Sequence, residues 1–152
     1  VDLCIEQRVK AVSYSRSPSS ASIEKLKRAG IVCIPTVGAM KHAVKAVELG
    51  ADALVIQGAE GGGHTGSVAT TILLPQVRQA VSVPIAAAGG FRSGAGLVAA
   101  MALGADGIAM GTRFLLTQES PVPAQTKAVY LKTPPEQIVV STKLDGLPQR
   151  MI

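Results

Sequence analysis

The chain has 152 residues, of which 47% are hydrophobic and 16% are charged, a composition typical of a folded domain and not of a disordered segment. Its formal net charge of +5 comes from basic residues scattered along the chain, and only 3% of the residues are aromatic, which argues against a nucleic-acid partner. There is no apolar stretch of membrane-spanning length and no signal-peptide pattern, so we expect a soluble, cytoplasmic protein without membrane partners. Cys4 and Cys33 lack the spacing of metal ligands, which predicts reduced thiols and no metal site.

A strand followed by a helix repeats along most of the chain. Continuous apolar runs predict strands at residues 9–13, 31–36, 53–57, 83–88 and 107–111. Helices are predicted at residues 21–29, 40–49, 71–81 and 93–103, after a helical end at 1–7 and a loop at 15–20. Ser20 or Ser22 is expected to cap the first of these helices, and Pro75 is expected near the first turn of the third. Because the strands are uniformly apolar, they should be parallel and covered on both faces.

An internal repeat narrows the fold class. The segments VELGADA at 47–53 and MALGADG at 101–107 both carry a helix end through Leu-Gly-Ala-Asp into a strand. Identical turns between repeated units favour an α/β fold of the TIM (β/α)8 type over a doubly wound sheet. Five such units are fewer than the eight that close a barrel, and the chain does not begin with Met. We therefore expect the later part of a longer chain.

The pattern weakens after residue 116. This predicts that residues 1–116 form the C-terminal part of a barrel and that residues 117–152 form an associated helix and an extra, truncated segment. Prolines bound a helix predicted at 124–131, an extra strand is predicted at 138–142, and DGLP at 145–148 is a turn signal.

The glycine-rich loop QGAEGGGHTG at 57–66 follows the third predicted strand directly. In α/β barrels the chemistry lies at such strand ends, and consecutive glycines let the backbone approach a flat or charged ligand. His64 is the candidate catalytic residue because an imidazole transfers protons near neutral pH; the alternative is an exposed loop histidine. Gln57 is a candidate ligand-binding residue at the barrel mouth, and the alternative is an amide bonded to neighbouring backbone. Glu60 is assigned no catalytic role, and His42 is expected at the surface of a helix.

Two later strand ends also carry glycines, in AGGF at 88–91 and MGTR at 110–113. Backbone N–H groups at consecutive strand ends, beside a helix that begins near Ser93, predict a phosphate site. The alternative is that these glycines serve tight turns for steric reasons. The candidate residues for the phosphate site are Gly89, Gly90, Met110, Gly111 and Thr112.

Together these motifs resemble a known family. QGxExGGHxG at 57–66, AGG at 88–90 and MGTRF at 110–114 are similar to motifs of the nitronate monooxygenases, formerly 2-nitropropane dioxygenases, and the resemblance continues through ESP at 119–121 and DGLPQR at 145–150. It implies an FMN-binding TIM barrel with a small extra domain, of which the five units here are about strands four to eight. It implies further that His64 is the active-site histidine. It also implies that Gln57 and Gly62 contact the isoalloxazine and ribityl parts of FMN and that the glycine ends hold its phosphate. Gly61 departs from the family pattern, which more often has alanine there.

The resemblance implies an oxidoreductase that oxidises an alkyl nitronate with dioxygen through reduced FMN. An alternative is a flavin-dependent enoyl-thioester reductase or dehydrogenase of the same superfamily, acting on CoA or ACP thioesters. A third hypothesis, of another class, is a phosphate-ligand binding module or an inactive barrel remnant. Chemistry like that of inosine-monophosphate dehydrogenase is disfavoured because Cys33 lies inside a predicted strand. The sequence is also compatible with a homo-oligomer.

Overall fold

The computed structural model describes residues 1–15 and 18–152, so residues 16 and 17 of the predicted loop at 15–20 lie outside the described residues. The strands are β1 Ala11–Ser15, β2 Val32–Val37, β3 Leu54–Gln57, β4 Gly63–His64, β5 Ile85–Ala88, β6 Gly107–Ala109, β7 Val139–Ser141 and β8 Gln149–Met151. The helices are α1 Asp2–Glu6, α2 Ser20–Arg28, α3 Met40–Glu48, α4 Thr70–Ala80, α5 Gly94–Ala102, α6 Thr112–Leu115 and α7 Ala124–Lys132, with a 3-10 turn at Pro135–Gln137.

Two sheets organise these elements. The first contains five parallel strands in the order β1-β2-β3-β5-β6, which is the strand–helix succession of a TIM barrel. The second contains three antiparallel strands in the order β4-β8-β7 and joins the glycine-rich loop to the end of the chain. The predicted strands and helices are confirmed with ends that differ by at most about two residues, whereas β4, β8 and α6 were not predicted.

Two local predictions are wrong. Ser19 caps α2, in place of Ser20 or Ser22, because the helix begins one residue earlier; the Ser19 hydroxyl accepts the N–H of Ser22 at 3.2 Å. Pro75 lies in the second turn of α4, because that helix begins at Thr70. The proline removes one N–H from the helical ladder there.

The core lies between the parallel sheet and helices α3, α4 and α5. Alternate strand residues are fully buried against these helices: Leu54, Ile56, Ile85 and Ala87. The residues between them are only half-buried: Val55, Gln57, Ala86 and Ala88. The expected burial of both faces is therefore observed on the helix side only, and Gln57 lies on the half-buried face.

The repeated Leu-Gly-Ala-Asp turns have the same structure. Gly50 and Gly104 end their helices with φ of +96° and +100°. After each glycine, the aspartate binds the neighbouring strand of the sheet: Asp52 Oδ2 accepts the N–H of Cys33 and Asp106 Oδ2 accepts the N–H of Ile85, both at 2.8 Å. Each repeat therefore connects its incoming strand to the adjacent strand through one carboxylate.

Asp52 also forms an ion pair with Lys27 of α2. Partial burial raises the pKa of Asp52, but hydrogen bonds from the Cys33 N–H and from Lys27 outweigh burial and lower that pKa overall. Both side chains of this pair are about a third exposed, so the hydrogen bond to backbone contributes more to stability than the charge pair does.

The cysteines and the second histidine lie on three separate elements. Cys33 is buried in β2 and Cys4 is half-buried in α1, and both are free thiols. His42 is exposed on α3, as predicted. Across residues 1–15 and 18–152, no helix is long and apolar enough to span a membrane, and no group of three or more histidine, cysteine or carboxylate side chains is arranged to hold a metal ion.

Replacing Asp52 with alanine should lower the free energy of unfolding by about 1–2 kcal/mol, because the N–H of Cys33 loses its carboxylate acceptor. Urea unfolding at pH 7 measures the change. The matched control is Glu48→Ala, which removes an exposed ion pair with Lys45 and should cost less than about 0.5 kcal/mol. Equal effects of the two substitutions would contradict the role of Asp52.

The same carboxylate predicts a pH dependence. Because folding lowers the pKa of Asp52, its charge stabilises the fold above the unfolded pKa, near about 3.9, and this contribution is lost as pH falls through the folded pKa. The difference in unfolding free energy between the wild type and Asp52→Asn should therefore shrink below about pH 4. A difference in unfolding free energy that stays constant from pH 7 to pH 3 would refute this role of the Asp52 charge.

Candidate active site

The glycine loop after β3 packs backbone against backbone with the loop after β5. The Gly58 N–H donates to the carbonyl of Ala88 at 3.2 Å, and Gly89 has φ of +95°. A Cβ on Gly89 would lie 2.8 Å from the backbone nitrogen of Gly61, and one on Gly58 would lie 2.0 Å from Thr70 Oγ1. Only glycine fits at these two contacts. For Gly89, the structure therefore shows the steric role that the sequence analysis gave as the alternative to phosphate binding.

Gly61 makes room for the side chain of Gln57. A Cβ at Gly61 would lie between 2.4 and 2.7 Å from three atoms of the Gln57 side chain. Gln57 occupies this space and its Nε2 donates to the carbonyl oxygen of His64 at 2.7 Å. The alternative interpretation of Gln57, an amide bonded to neighbouring backbone, is therefore what the structure shows, and contact with a ligand stays a prediction.

His64 lies in β4, where it pairs with Gln149 of β8. Its ring Nε2 is 2.7 Å from Oδ2 of Asp145, in the turn that joins β7 to β8. The side chain of His64 is 55% exposed, so the ring remains accessible at the carboxyl edge of the parallel sheet. The structure thus brings the predicted catalytic histidine together with a carboxylate 81 residues further along the chain.

Asp145 is held in place by several hydrogen bonds. Its Oδ1 accepts the N–H of Leu147 at 3.1 Å, in a turn that contains Gly146 with φ of +82°. Hydrogen bonds from the Gln149 side chain, from His64 and from the Leu147 N–H lower the pKa of Asp145 to about 2. The carboxylate is therefore ionised at neutral pH.

Glu60 has a structural role that its sequence context does not reveal. Its Oε2 accepts the backbone N–H of Thr70 at 3.0 Å and the Thr70 hydroxyl at 2.8 Å, at the first turn of α4. Burial raises the pKa of Glu60, but the two bonds from Thr70 outweigh burial and lower it overall. Glu60 thereby ties the loop to the positive end of α4.

The strand ends predicted to hold phosphate lie beside the glycine loop. A Cβ on Gly62 would lie 3.7 Å from Thr112 Oγ1, and one on Gly90 would lie 3.4 Å from Glu60 Cβ. Gly111 precedes α6 as its N-cap, directly after Met110, and the Ser93 hydroxyl accepts the Gly96 N–H at 3.4 Å at the start of α5. Three loops therefore meet at one edge of the sheet.

Part of this backbone is unobstructed. Among the described residues, no heavy atom lies within 4 Å of the Cβ positions of Gly63 and Gly111. Gly111 is also the N-cap of α6, and free space beside a glycine at a helix N-terminus lets backbone N–H groups reach a phosphate. The backbone at Gly111 therefore fits the phosphate end of a flavin.

The C-terminal hairpin, defined as β7, its turn and β8, covers the other side of the glycine loop. Arg150 Nε donates to the carbonyl of Ala59 at 3.0 Å, and Thr65 donates its N–H to the carbonyl of Pro148 at 3.1 Å. Loop and hairpin border a cleft of about 600 Å³ that is lined by Ala59, Thr65, Gly66, Ser67, Val140, Pro148 and Arg150. Asp145 and Arg150 were not predicted as site residues, although both lie in the DGLPQR motif.

Comparison with known proteins identifies the family to which this chain belongs. The sequence profile of the nitronate monooxygenase family matches residues 1–152. A (3aS,4S,5R,7aS)-5-hydroxy-7a-methyl-1-oxo-octahydro-1H-indene-4-carboxyl-CoA dehydrogenase of Rhodococcus jostii is 55% identical, over 100% of this chain and 43% of that protein. A probable nitronate monooxygenase of Staphylococcus saprophyticus is 37% identical, over 100% of this chain and 46% of that protein. The structure of FabK from Thermotoga maritima matches with a TM-score of 0.94 at 37% identity, over 99% of this chain and 49% of that one.

The parallel strand–helix units, with glycine loops and a histidine at their carboxyl edge, define an α/β protein of the TIM-barrel class. The chain belongs to the nitronate monooxygenase family. The predicted family and fold class are confirmed, and the chain spans less than half the length of the two curated relatives named above. Both of these relatives carry the names of oxidoreductases.

Substitution of Gly61 and of Gly58 with alanine should have different effects on stability. Gly61→Ala should leave the fold intact, because the atoms in its way belong to a flexible side chain that can rotate, but it should break the bond from Gln57 to His64. Gly58→Ala should lower the free energy of unfolding by about 3 kcal/mol or more, because its Cβ would meet the Thr70 backbone nitrogen at 2.5 Å. Thermal unfolding of the two variants measures the contrast, and similar losses of stability in both would contradict it.

Proposed function

We propose that this protein is an FMN-dependent oxidoreductase that dehydrogenates a hydroxylated CoA thioester, with His64 as its catalytic base. The observation that carries the proposal is the 55% identity to a hydroxy-carboxyl-CoA dehydrogenase, which extends over the whole chain and therefore over the glycine loop and the C-terminal hairpin. The sequence motifs alone placed nitronate oxidation first and thioester chemistry second. The higher identity of the CoA dehydrogenase favours the reverse order.

FMN would be held by the three loops at the carboxyl edge of the parallel sheet. We assign Gly89, Gly90, Met110, Gly111 and Thr112 to its phosphate, and Gln57 and Gly62 to its ring and ribityl parts. The open Cβ position of Gly111 supports this assignment, because the backbone there can be approached directly. When bound, FMN would accept the two electrons that leave the substrate as hydride.

A residue of this chain would accept the proton that the substrate releases. Dehydrogenation removes a proton together with the hydride, so a base must stand beside the group of the substrate that loses the proton. His64 suits this role because its ring is accessible and its backbone is anchored in β4. The net charge of +5 would favour the approach of CoA, whose phosphates are anionic.

Nitronate oxidation with dioxygen is the second candidate. It is supported by the match of the family profile to residues 1–152 and by the 37% identity to a probable nitronate monooxygenase. Both reactions need a residue next to FMN that can accept or donate a proton, so the geometry of His64 is compatible with either reaction.

We also propose that the chain divides at residue 116 into a barrel part and an associated segment.

Anaerobic mixing separates these candidates. The flavin-loaded protein is mixed with a cyclic hydroxyacyl-CoA, with an alkyl nitronate and with NADH or NADPH, and the flavin absorbance is followed. Rapid bleaching by the hydroxyacyl-CoA is the expected result. Bleaching by the nitronate alone would establish the second candidate, and bleaching by a nicotinamide alone would indicate a thioester reductase. No bleaching by any of these compounds would favour a phosphate-binding module without turnover.

His64→Ala should lower turnover by about a hundredfold or more while flavin stays bound, because the general base is lost and the phosphate loops are untouched. Steady-state turnover and flavin content are measured together. The matched control is His42→Ala, a change at the exposed histidine of α3, which should retain wild-type activity. Full turnover in His64→Ala would remove this residue from the mechanism.

Gly111→Asp should abolish flavin binding, because a carboxylate would stand where the phosphate is proposed to lie. The control is Gly111→Asn, which has nearly the same size and no charge. Apart from the adjacent residues of the chain, no described atom lies within 4 Å of the Gly111 Cβ position, so neither substitution is blocked at its Cβ. Retained flavin in Gly111→Asp, measured by absorbance of the purified protein, would contradict the phosphate assignment.

A further inference from the structure

We propose that Asp145 is a positioning residue that holds the proton of His64 on Nε2 and thereby makes Nδ1 the atom that exchanges a proton with substrate. The exchange with substrate rests on the proposed function, whereas the position of the proton on the ring does not. Neither atom can be assigned from the sequence, because the two residues are 81 positions apart.

The first argument is the direction of the hydrogen bond. Nε2 of His64 and Oδ2 of Asp145 are 2.7 Å apart. With its pKa lowered to about 2, the carboxylate is ionised at neutral pH and can only accept hydrogen bonds. Nε2 must therefore carry the proton, which leaves the lone pair of a neutral imidazole on Nδ1.

The second argument is that both partners are anchored to the same hairpin. The backbone of His64 pairs with Gln149 in β8, and Gln57 holds its carbonyl oxygen at 2.7 Å. Asp145 is fixed through its other oxygen, Oδ1, by the N–H of Leu147 at 3.1 Å. The ring and the carboxylate therefore keep their relative orientation without a contact from substrate.

The proton balance follows from this arrangement. Nδ1 would take the proton that the substrate releases, and oxidised FMN, when bound, would accept the hydride, so that protons and electrons balance. The imidazolium that results carries a proton on both ring nitrogens, and the ionised Asp145 stabilises its charge across the Nε2 bond. The side chain of His64 is 55% exposed, and Asp145 occupies the Nε2 edge of the ring, which leaves Nδ1 as the ring nitrogen without a bond to Asp145.

Asp145→Asn tests the inference sharply. The N–H of Leu147 still needs an acceptor, so it should bind the amide oxygen of the substituted side chain and turn the amide NH2 toward Nε2 of His64. A donor facing Nε2 should move the ring proton to Nδ1. The change keeps the turn intact because the amide oxygen replaces Oδ1, and the side chain at position 145 is exposed.

The tautomer is read from the 15N chemical shifts of labelled histidine in the intact, flavin-loaded protein, with His64 assigned by the signals that His64→Gln removes. We expect the proton on Nε2 in the wild type and on Nδ1 in Asp145→Asn, read at the alkaline limit of a pH series. With the substrate that bleaches the flavin, kcat should fall by about a hundredfold or more, while KM and flavin content change little.

Leu144→Ala is the matched control, because it alters the neighbouring, exposed residue of the same turn and should leave both tautomer and kcat unchanged. An unchanged tautomer in Asp145→Asn would overturn the inference, whether kcat falls or not. If the tautomer moves as expected but no hydroxyacyl-CoA is turned over by the wild type, the proposed substrate fails and the positioning role of Asp145 stands.

Discussion

The site depends on a backbone contact that only glycine permits. Gly58 packs against the first turn of α4, and Gly89 packs against the backbone of Gly61, so that the loops after β3 and β5 lie closer than side chains would allow. The space left at Gly61 is filled by Gln57, which holds the carbonyl of His64. A steric condition at a few glycines thus determines the path of the backbone that carries the histidine.

The far end of the chain completes the same site. β8 pairs with β4, and Arg150 binds the carbonyl of Ala59, a contact between residues 91 positions apart. The hairpin therefore supplies both the strand that supports His64 and the carboxylate that faces its ring. In this family member the segment after the repeating units is part of the candidate active site as well as a structural addition to the barrel.

In the parallel sheet beneath the site, the same bond between an aspartate and the backbone occurs twice. Asp52 and Asp106 each follow a glycine-ended helix and bind a backbone N–H of the adjacent strand at 2.8 Å. The carboxylates lie before β3 and β6, at the edge opposite to the glycine loops. This separates residues that stabilise the fold from the residues of the candidate active site, as in TIM barrels generally.

The sequence predicts the strand–helix succession, the turn motif of the repeats and the loop that carries His64, because these features are encoded by residues close to one another in the chain. It was silent on β4 and β8, since their residues, Gly-His and Gln-Arg-Met, form no apolar run of the kind that predicts a strand. The role of Glu60 at α4 and the pairing of His64 with Asp145 were decided only by the tertiary structure. The reason is physical: these bonds join groups 10 and 81 positions apart, and their geometry exists only after the sheet and the hairpin have formed.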